Sequence, residues 1–378
     1  MVIAKENAPH LRRKASVTRM MVDVLIALAP TLIFSFVVYQ LRTLVFYLIS
    51  VAIMEAAEFV FVGLKNMMPA DGQKHTFKEK FIYAYKGKYN QNNVLTAAIS
   101  AIIFTLIMPA GAPIYAVVVG ALAGIVLGKL VFGGLGSNIF NPAAVGMVFA
   151  KICFGGQYAT PTSNWFITVP DAVAGATPLG GTDGAIYNVV NNMSQYGLKA
   201  LVFGQVPGTL GEAFVIPILV GAIYLLIRRS ADIRVMLPYL GLFGLLSLVA
   251  GLSIFAVDGV TNPIRFTIYY VLTGGVLFGG VFMLTDPVTS PINSPSRIIY
   301  AMVAAVSTIF IRLFAALPEG VGFSILIANM IAVVLDHYEW SNPRYTWKKF
   351  LAMGLLVVIP ALVIFLVIKF GGVYNVQH

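Results

Sequence analysis

A helix needs roughly 20 consecutive apolar residues to cross a hydrocarbon layer about 30 Å thick, and this chain is built from such runs almost end to end. Eleven windows qualify, near residues 20–40, 44–64, 94–110, 113–131, 142–154, 211–228, 235–256, 266–284, 298–316, 321–336 and 350–370, the fifth being short. Backbone N–H and C=O groups cannot be left bare in lipid, so runs of this length read as helices. The expected fold is therefore an all-α polytopic membrane protein. Composition agrees: 59% of the 378 residues are hydrophobic, 11% are charged, and the mean hydropathy is +0.87, outside the range of soluble domains.

Charge sets the expected orientation. Loops on the cytoplasmic side carry an excess of Lys and Arg. The leader holds Lys5, Arg12, Arg13, Lys14 and Arg19, and the connection 65–93 holds Lys65, Lys74, Lys78, Lys80, Lys86 and Lys88. Placing both inside and alternating sides along the eleven spans also puts Arg228, Arg229, Arg234, Arg297, Arg344, Lys348, Lys349 and Lys129 inside, 19 of the 25 basic residues. The net charge of +10 is explained by this bias, so nucleic acid is excluded as a partner and membrane lipid is expected. The first span lacks a small-residue cleavage site and reads as a retained helix. One cysteine, Cys153, and four scattered histidines exclude a disulfide framework or a four-thiolate metal centre built from this chain alone.

The chain also reads as doubled. Gly134 and Asn141-Pro142 recur at a constant spacing as Gly279 and Asp286-Pro287. Spans one to five start outward and spans six to ten start inward, the pattern of two inverted five-helix repeats with an eleventh, C-terminal helix appended. The expected divisions are a cytoplasmic leader 1–19, a first repeat 20–154, an outer-face loop 155–210, a second repeat 211–336, and a cytoplasmic connection with the extra helix 337–378.

Three stretches carry chemistry. In Asp171-Ala172-Val173-Ala174-Gly175-Ala176-Thr177-Pro178, the small residues leave the Thr177 hydroxyl open and Pro178 turns the chain away from helix. This is either a presented nucleophile or an ordinary polar loop, and the topology sets it on the outer face. Phe132-Gly133-Gly134-Leu135-Gly136-Ser137-Asn138-Ile139-Phe140-Asn141-Pro142 joins two helices on the cytoplasmic side. Its amides, Asn138 and Asn141, can read a heterocycle edge or cap helix ends. In Thr285-Asp286-Pro287-Val288-Thr289, a carboxylate at a proline break is a candidate for an ion pathway or a helix stop. Glu55 and Glu58 share a helix face and either look into a polar interior or snorkel.

With these residues in hand, the chain resembles the RnfD component of the Rnf electron-transport complex and, more distantly, the NqrB component of the sodium-pumping NADH:quinone oxidoreductase. The resemblance covers about residues 15 to 347 and rests on four ordered motifs: FGGLGSNIFNPAAVG (132–146), GATPL (175–179), FMLTDPVTSP (282–291) and IRLFAALPEGVGFSILIANM (311–330). It implies FMN joined by a phosphoester to Thr177, attached by a flavin transferase that reads Asp171, Gly175 and Ala176; Ala174 stands where Ser or Thr is usual. It implies a second, non-covalent flavin, riboflavin, near Asn138 and Asn141, and an ion-translocating role for Asp286 and Asp336. The implied protein is an integral subunit of an ion-translocating (Na+ or H+) ferredoxin:NAD+ oxidoreductase in a prokaryotic plasma membrane. Its partners would be the other membrane and cytoplasmic Rnf subunits and an outer-face flavoprotein subunit. The alternative is a solute channel or secondary transporter of inverted-repeat fold without redox chemistry, suggested by the repeat and interrupted helices alone.

Overall fold

The computed structural model describes residues 16–67, 76–158, 189–190, 193, 197–204, 206, 208–315, 320–337, 340 and 342–370. Among these the protein is helical throughout, apart from one isolated bridge between Pro109 and Thr209. In chain order the helices are α1 (Val17–Tyr39), α2 (Leu41–Asn66), α3 (Phe77–Tyr85), α4 (Gln91–Ile107), α5 (Ile114–Ile125), α6 (Pro142–Tyr158), α7 (Leu198–Val202), α8 (Val215–Arg228), α9 (Ile233–Asp258), α10 (Pro263–Leu272), α11 (Val276–Phe278), α12 (Ser294–Phe314), α13 (Gly320–Leu335) and α14 (Trp347–Phe370). Helix α5 runs on into a π-helical turn, Val126–Leu130, and α11 into another, Gly279–Met283.

Each of the eleven apolar windows falls on helix, but the helix lengths differ from expectation. Five, α1, α2, α9, α12 and α14, are long and apolar enough to cross a membrane, and α10 with α11 makes a sixth candidate bent by 60°. The segments Gln91–Ile107, Ile114–Leu130, Pro142–Gly155, Val215–Arg228 and Gly320–Leu335 are apolar but shorter. The chain is thus an all-helical, multi-span membrane protein in which shorter apolar helices accompany five or six candidate spans.

Local chemistry explains the stops. Thr273-Gly274-Gly275 interrupts α10 and α11 with two glycines in the left-handed region, φ 63° and 76°, where a Cβ is disfavoured. The carbonyls this break frees are taken by Arg312 of α12, which donates to Tyr270 O at 3.0 Å, Thr273 O at 3.1 Å and Gly274 O. After the first π turn, Gly133, Gly134 and Gly136 hold φ of 116°, 93° and 81°, and Lys65 donates to Gly133 O at 2.8 Å. Helix α8 starts at Val215 because the residues before it are engaged elsewhere: the N–H groups of Leu210 and Gly211 donate to Met108 O (3.0 Å) and Leu106 O (2.7 Å) at the end of α4.

The pairing of Asn141-Pro142 with Asp286-Pro287 is not reproduced at the helix starts. Asn141 stands directly before α6, whereas Asp286 lies within a connection and closes a local turn, accepting from Val288 N at 3.1 Å and Thr289 Oγ1 at 3.3 Å. It is Asn293 that stands before α12. The stretch 171–181 lies outside the described residues.

A seam of small residues sets the position of α6. Gly120, Gly124 and Gly128 along α5 and its π turn meet Pro142, Gly146 and Ala150 along α6, the close-approach pattern by which membrane helices pack without a hydrophobic driving force. A Cβ on Gly124 would lie 2.6 Å from Pro142 O, while one on Gly354 of α14 would have nothing within 4 Å. Gly124→Leu is therefore expected to lower the temperature at which the detergent-solubilised protein loses its monodisperse chromatographic peak, by the equivalent of about 1–3 kcal/mol or more. Gly354→Leu serves as the control and should leave that temperature unchanged.

Candidate functional site

The Gly-Asn-Pro connection folds back over one end of the bundle and closes a cavity of about 310 Å³. Its apolar walls come from the start of α1 (Met20, Met21, Val24), from α4 (Ile99, Ile103), from Leu225 near the end of α8, and from Val281 and Phe282 of the second π turn. Polar groups converge from opposite halves of the chain: Thr96, Lys129, Asn138 and Asn141 from one, Ser230, Thr285 and Asp286 from the other. A largely apolar hollow with a few convergent polar groups is the usual form of a small-molecule site, and its size lies at the lower end of the ~300–1,000 Å³ range of such sites.

The two asparagines differ in what they have left to offer. Asn141 caps α6, its Oδ1 accepting from Ala143 N (3.0 Å) and Ala144 N (3.4 Å), and its Nδ2 donates to Met283 O at 3.4 Å across to the second π turn. Its amide is spent on the protein, so it shapes the cavity. Asn138 donates to Phe140 O at 3.3 Å, and its oxygen takes no donor among the described residues, which leaves it an acceptor at the cavity wall.

Lys129, counted in the sequence only as an orientation charge, is buried in that wall. It pairs with Glu58 of α2 at 2.9 Å, with 3% and 0% of the two side chains exposed, and donates to Thr96 Oγ1 at 2.9 Å. Glu58 Oε1 accepts from Asn93 Nδ2 at 3.0 Å. One turn earlier on α2, Glu55 accepts from Tyr89 Oη at 3.3 Å. Burial, reinforced by the Glu55 carboxylate, pushes the Tyr89 hydroxyl up to about 12, so it stays a neutral donor. Of the two open readings for the Glu55/Glu58 face, Glu58 looks into a polar interior. The signal for this cluster was present in the sequence as a lysine within an apolar window, but its partner lies on a distant helix.

The remaining charges anchor the cavity's surroundings. Asp23 of α1 accepts from Tyr224 Oη (3.2 Å), Arg228 Nε (3.0 Å) and Ser230 Oγ (2.7 Å), locking α1 to the end of α8. Asp336 accepts from Ile292 N at 3.1 Å and so holds the connection that carries Asp286. Thr285 Oγ1 donates back to Val281 O at 2.5 Å. Among the described residues no cluster of three or more His, Cys, Asp or Glu side chains forms a metal cage. Asp286 and Asp336 thus support the same connection, one facing the cavity and one outside it. Thr177, Asp171, Gly175 and Ala176 lie outside the described residues. The described flanks of their stretch, the end of α6 at Tyr158 and Met193, whose carbonyl accepts from Arg265 Nη2 at 2.8 Å, lie at the end of the bundle opposite the cavity.

Residues 4–344 match the NQR2, RnfD, RnfE family. The chain is 35% identical over 244 residues to the B component of the Na(+)-translocating NADH-quinone reductase of Chromohalobacter salexigens, covering 64% of this chain and 57% of that one. It is 29% identical over 336 residues to the D component of the Na(+)-translocating ferredoxin:NAD(+) oxidoreductase complex of Acetobacterium woodii, covering 88% and 92%. It is also 27% identical over 348 residues to the D component of the Proton-translocating ferredoxin:NAD(+) oxidoreductase complex of Clostridium ljungdahlii, covering 88% and 93%. The chain therefore spans little more than half the length of the quinone-reductase relative and nearly all of the two ferredoxin-linked ones. With its family match running through both halves of the bundle and across the cavity between them, the chain belongs to the NQR2, RnfD, RnfE family.

Proposed function

We propose that this chain is the membrane subunit of an ion-translocating ferredoxin:NAD+ oxidoreductase, carrying electrons across the bilayer between two flavins. FMN is esterified to Thr177 at the outer face, and riboflavin is held without a covalent bond in the cavity lined by Asn138, Lys129 and Thr285. The observation that carries this reading is the cavity. It gathers Asn138, Asn141 and Asp286 at one end of the bundle, while the described flanks of the Thr177 stretch stand at the other.

The cavity's chemistry suits a flavin ring. Apolar side chains from α1, α4 and the second π turn would pack on a flat tricyclic system, while the Asn138 oxygen, the Thr285 and Ser230 hydroxyls and the Lys129 ammonium, all lining the cavity, are the groups that would hold its heteroatoms. Bound flavins supply the electron transfer; the protein supplies position and electrostatics. Two sites are needed because helix α4 alone, at about 1.5 Å per residue, holds the two ends of the bundle about 25 Å apart. A phosphoester at Thr177 also keeps the outer flavin from diffusing away, and forming it from a high-pKa alcohol calls for a dedicated transferase and its metal.

The remaining elements fit this reading. Lys65, Lys129, Arg228, Arg229, Arg234 and Arg297 gather at the cavity end, which under the positive-inside rule is cytoplasmic. The N-terminus is then inside and Thr177 outside. The two π turns come from different halves of the chain and lead to the same end of the bundle, so the reading of two inverted five-helix repeats rests on the sequence pattern alone. We assign Asp286, at the cavity, and Asp336, which braces the same connection, to the ion pathway, Na+ or H+.

Co-expressed with its flavin transferase, the wild-type chain should give a band that fluoresces under ultraviolet light on a denaturing gel, and Thr177→Val should reduce that fluorescence to background. Equal fluorescence in both would exclude attachment at Thr177. In the assembled complex, Asp286→Asn should slow coupled ion uptake into vesicles severalfold at unchanged flavin content; wild-type uptake in that variant would remove Asp286 from the pathway.

A further inference from the structure

The Glu58–Lys129 pair is not needed by the local backbone. Lys129 sits in a π turn of sequence Val126-Leu127-Gly128-Lys129-Leu130, and the second π turn, Gly279-Gly280-Val281-Phe282-Met283, has the same geometry with no charged residue. Withdrawing an ion from water is costly even after relaxation, and a buried pair is often no more stable than apolar residues of the same volume. The pair is also asymmetric toward the cavity. Lys129 lines it and Glu58 does not, so the cation faces the hollow and the carboxylate, held by Asn93, stands behind it. Thr96 Oγ1, which accepts from Lys129 Nζ, also lines the cavity and fixes the ammonium at its edge.

A cation held at the wall of a low-dielectric hollow favours a ligand in its more negative form. We propose that Lys129, kept charged and in place by Glu58, is the residue that makes this cavity bind a reduced flavin more tightly than an oxidised one. The inference rests on the flavin reading above. When an oxidised isoalloxazine takes up two electrons and one proton, the ring gains one negative charge. The Lys129 ammonium offsets that charge without giving up its own proton. Glu58 is the positioning residue, and its pairing keeps the ammonium protonated in the absence of ligand.

The test uses the purified full-length chain in detergent, titrated anaerobically with riboflavin, oxidised in one series and reduced with dithionite in the other. The readout is the ratio of the two dissociation constants, checked against the midpoint potential of the bound flavin. Removing Lys129 alone would strand a buried carboxylate, so the principal variant is Lys129→Met with Glu58→Gln, which deletes both charges together. Whatever its affinity for oxidised riboflavin, it should lose about tenfold in its preference for the reduced over the oxidised form, a fall of about 30 mV for a two-electron couple. Lys129→Arg, which keeps the charge, should stay close to wild type.

A double variant with the wild-type ratio, or one that loses both affinities by the same factor, overturns the inference. So does a Lys129→Arg protein that falls as far as the double variant. If the double variant does not purify as a monodisperse species, Lys129→Gln with Glu58→Gln, which also deletes both charges but keeps a polar side chain at each position, gives the same comparison. Failure of the wild-type chain to bind riboflavin in either state overturns the underlying flavin reading instead.

Discussion

A helix that ends inside a membrane must hand its free backbone groups to other parts of the protein, because lipid offers no hydrogen bonds. This chain interrupts its helices at several points, and three polar side chains illustrate how the freed groups are met. Arg312 takes the carbonyls released where α10 gives way to α11. Asn141 satisfies the first N–H groups of α6 and reaches Met283 O at the end of the second π turn. Lys65 holds the carbonyl of Gly133 in the glycine-rich connection. Removing Arg312 or Asn141 leaves several backbone groups bare at once, each costing about 1–3 kcal/mol when unpaired and buried.

The cavity follows from the same arrangement. Two π turns, from different halves of the chain, bring their following connections to one end of the bundle, where they leave a hollow that no continuous helix fills. The glycine seam between α5 and α6 draws the first connection close, and the Asp23 network fixes α1 and α8 as the opposite wall. The polar groups that remain at the hollow's surface after backbone needs are met, Asn138, Lys129, Thr285 and Asp286, are those with something left to give a ligand or an ion.

Much of this could be read from residue order alone. Among the described residues, each of the eleven apolar windows located by hydropathy falls on helix, and the Gly-Asn-Pro and Thr-Asp-Pro stretches, expected to matter, converge on one cavity. What hydropathy could not show was where helices stop. The window near 211–228 looks continuous in hydropathy, yet the N–H groups of Gly211 and of Leu210 before it pair with the end of α4. Lys129 is ambiguous in sequence for a related reason: a lone basic residue at the end of an apolar run looks the same whether it faces water or a carboxylate 71 positions away in sequence, and only the packing of α2 against α5 decides. The equal standing given to the two asparagines is likewise resolved by contacts, Asn141 being consumed by its cap and Asn138 not.

The central claim is that one polypeptide holds two flavins in chemically different ways at opposite ends of a helical bundle. Acid precipitation of the purified chain, matured with its flavin transferase, separates them directly. The account predicts one flavin that stays with the precipitated polypeptide as FMN and one, released into the supernatant, that is riboflavin, in equal amounts. A supernatant without riboflavin, or a precipitate without flavin, would contradict it.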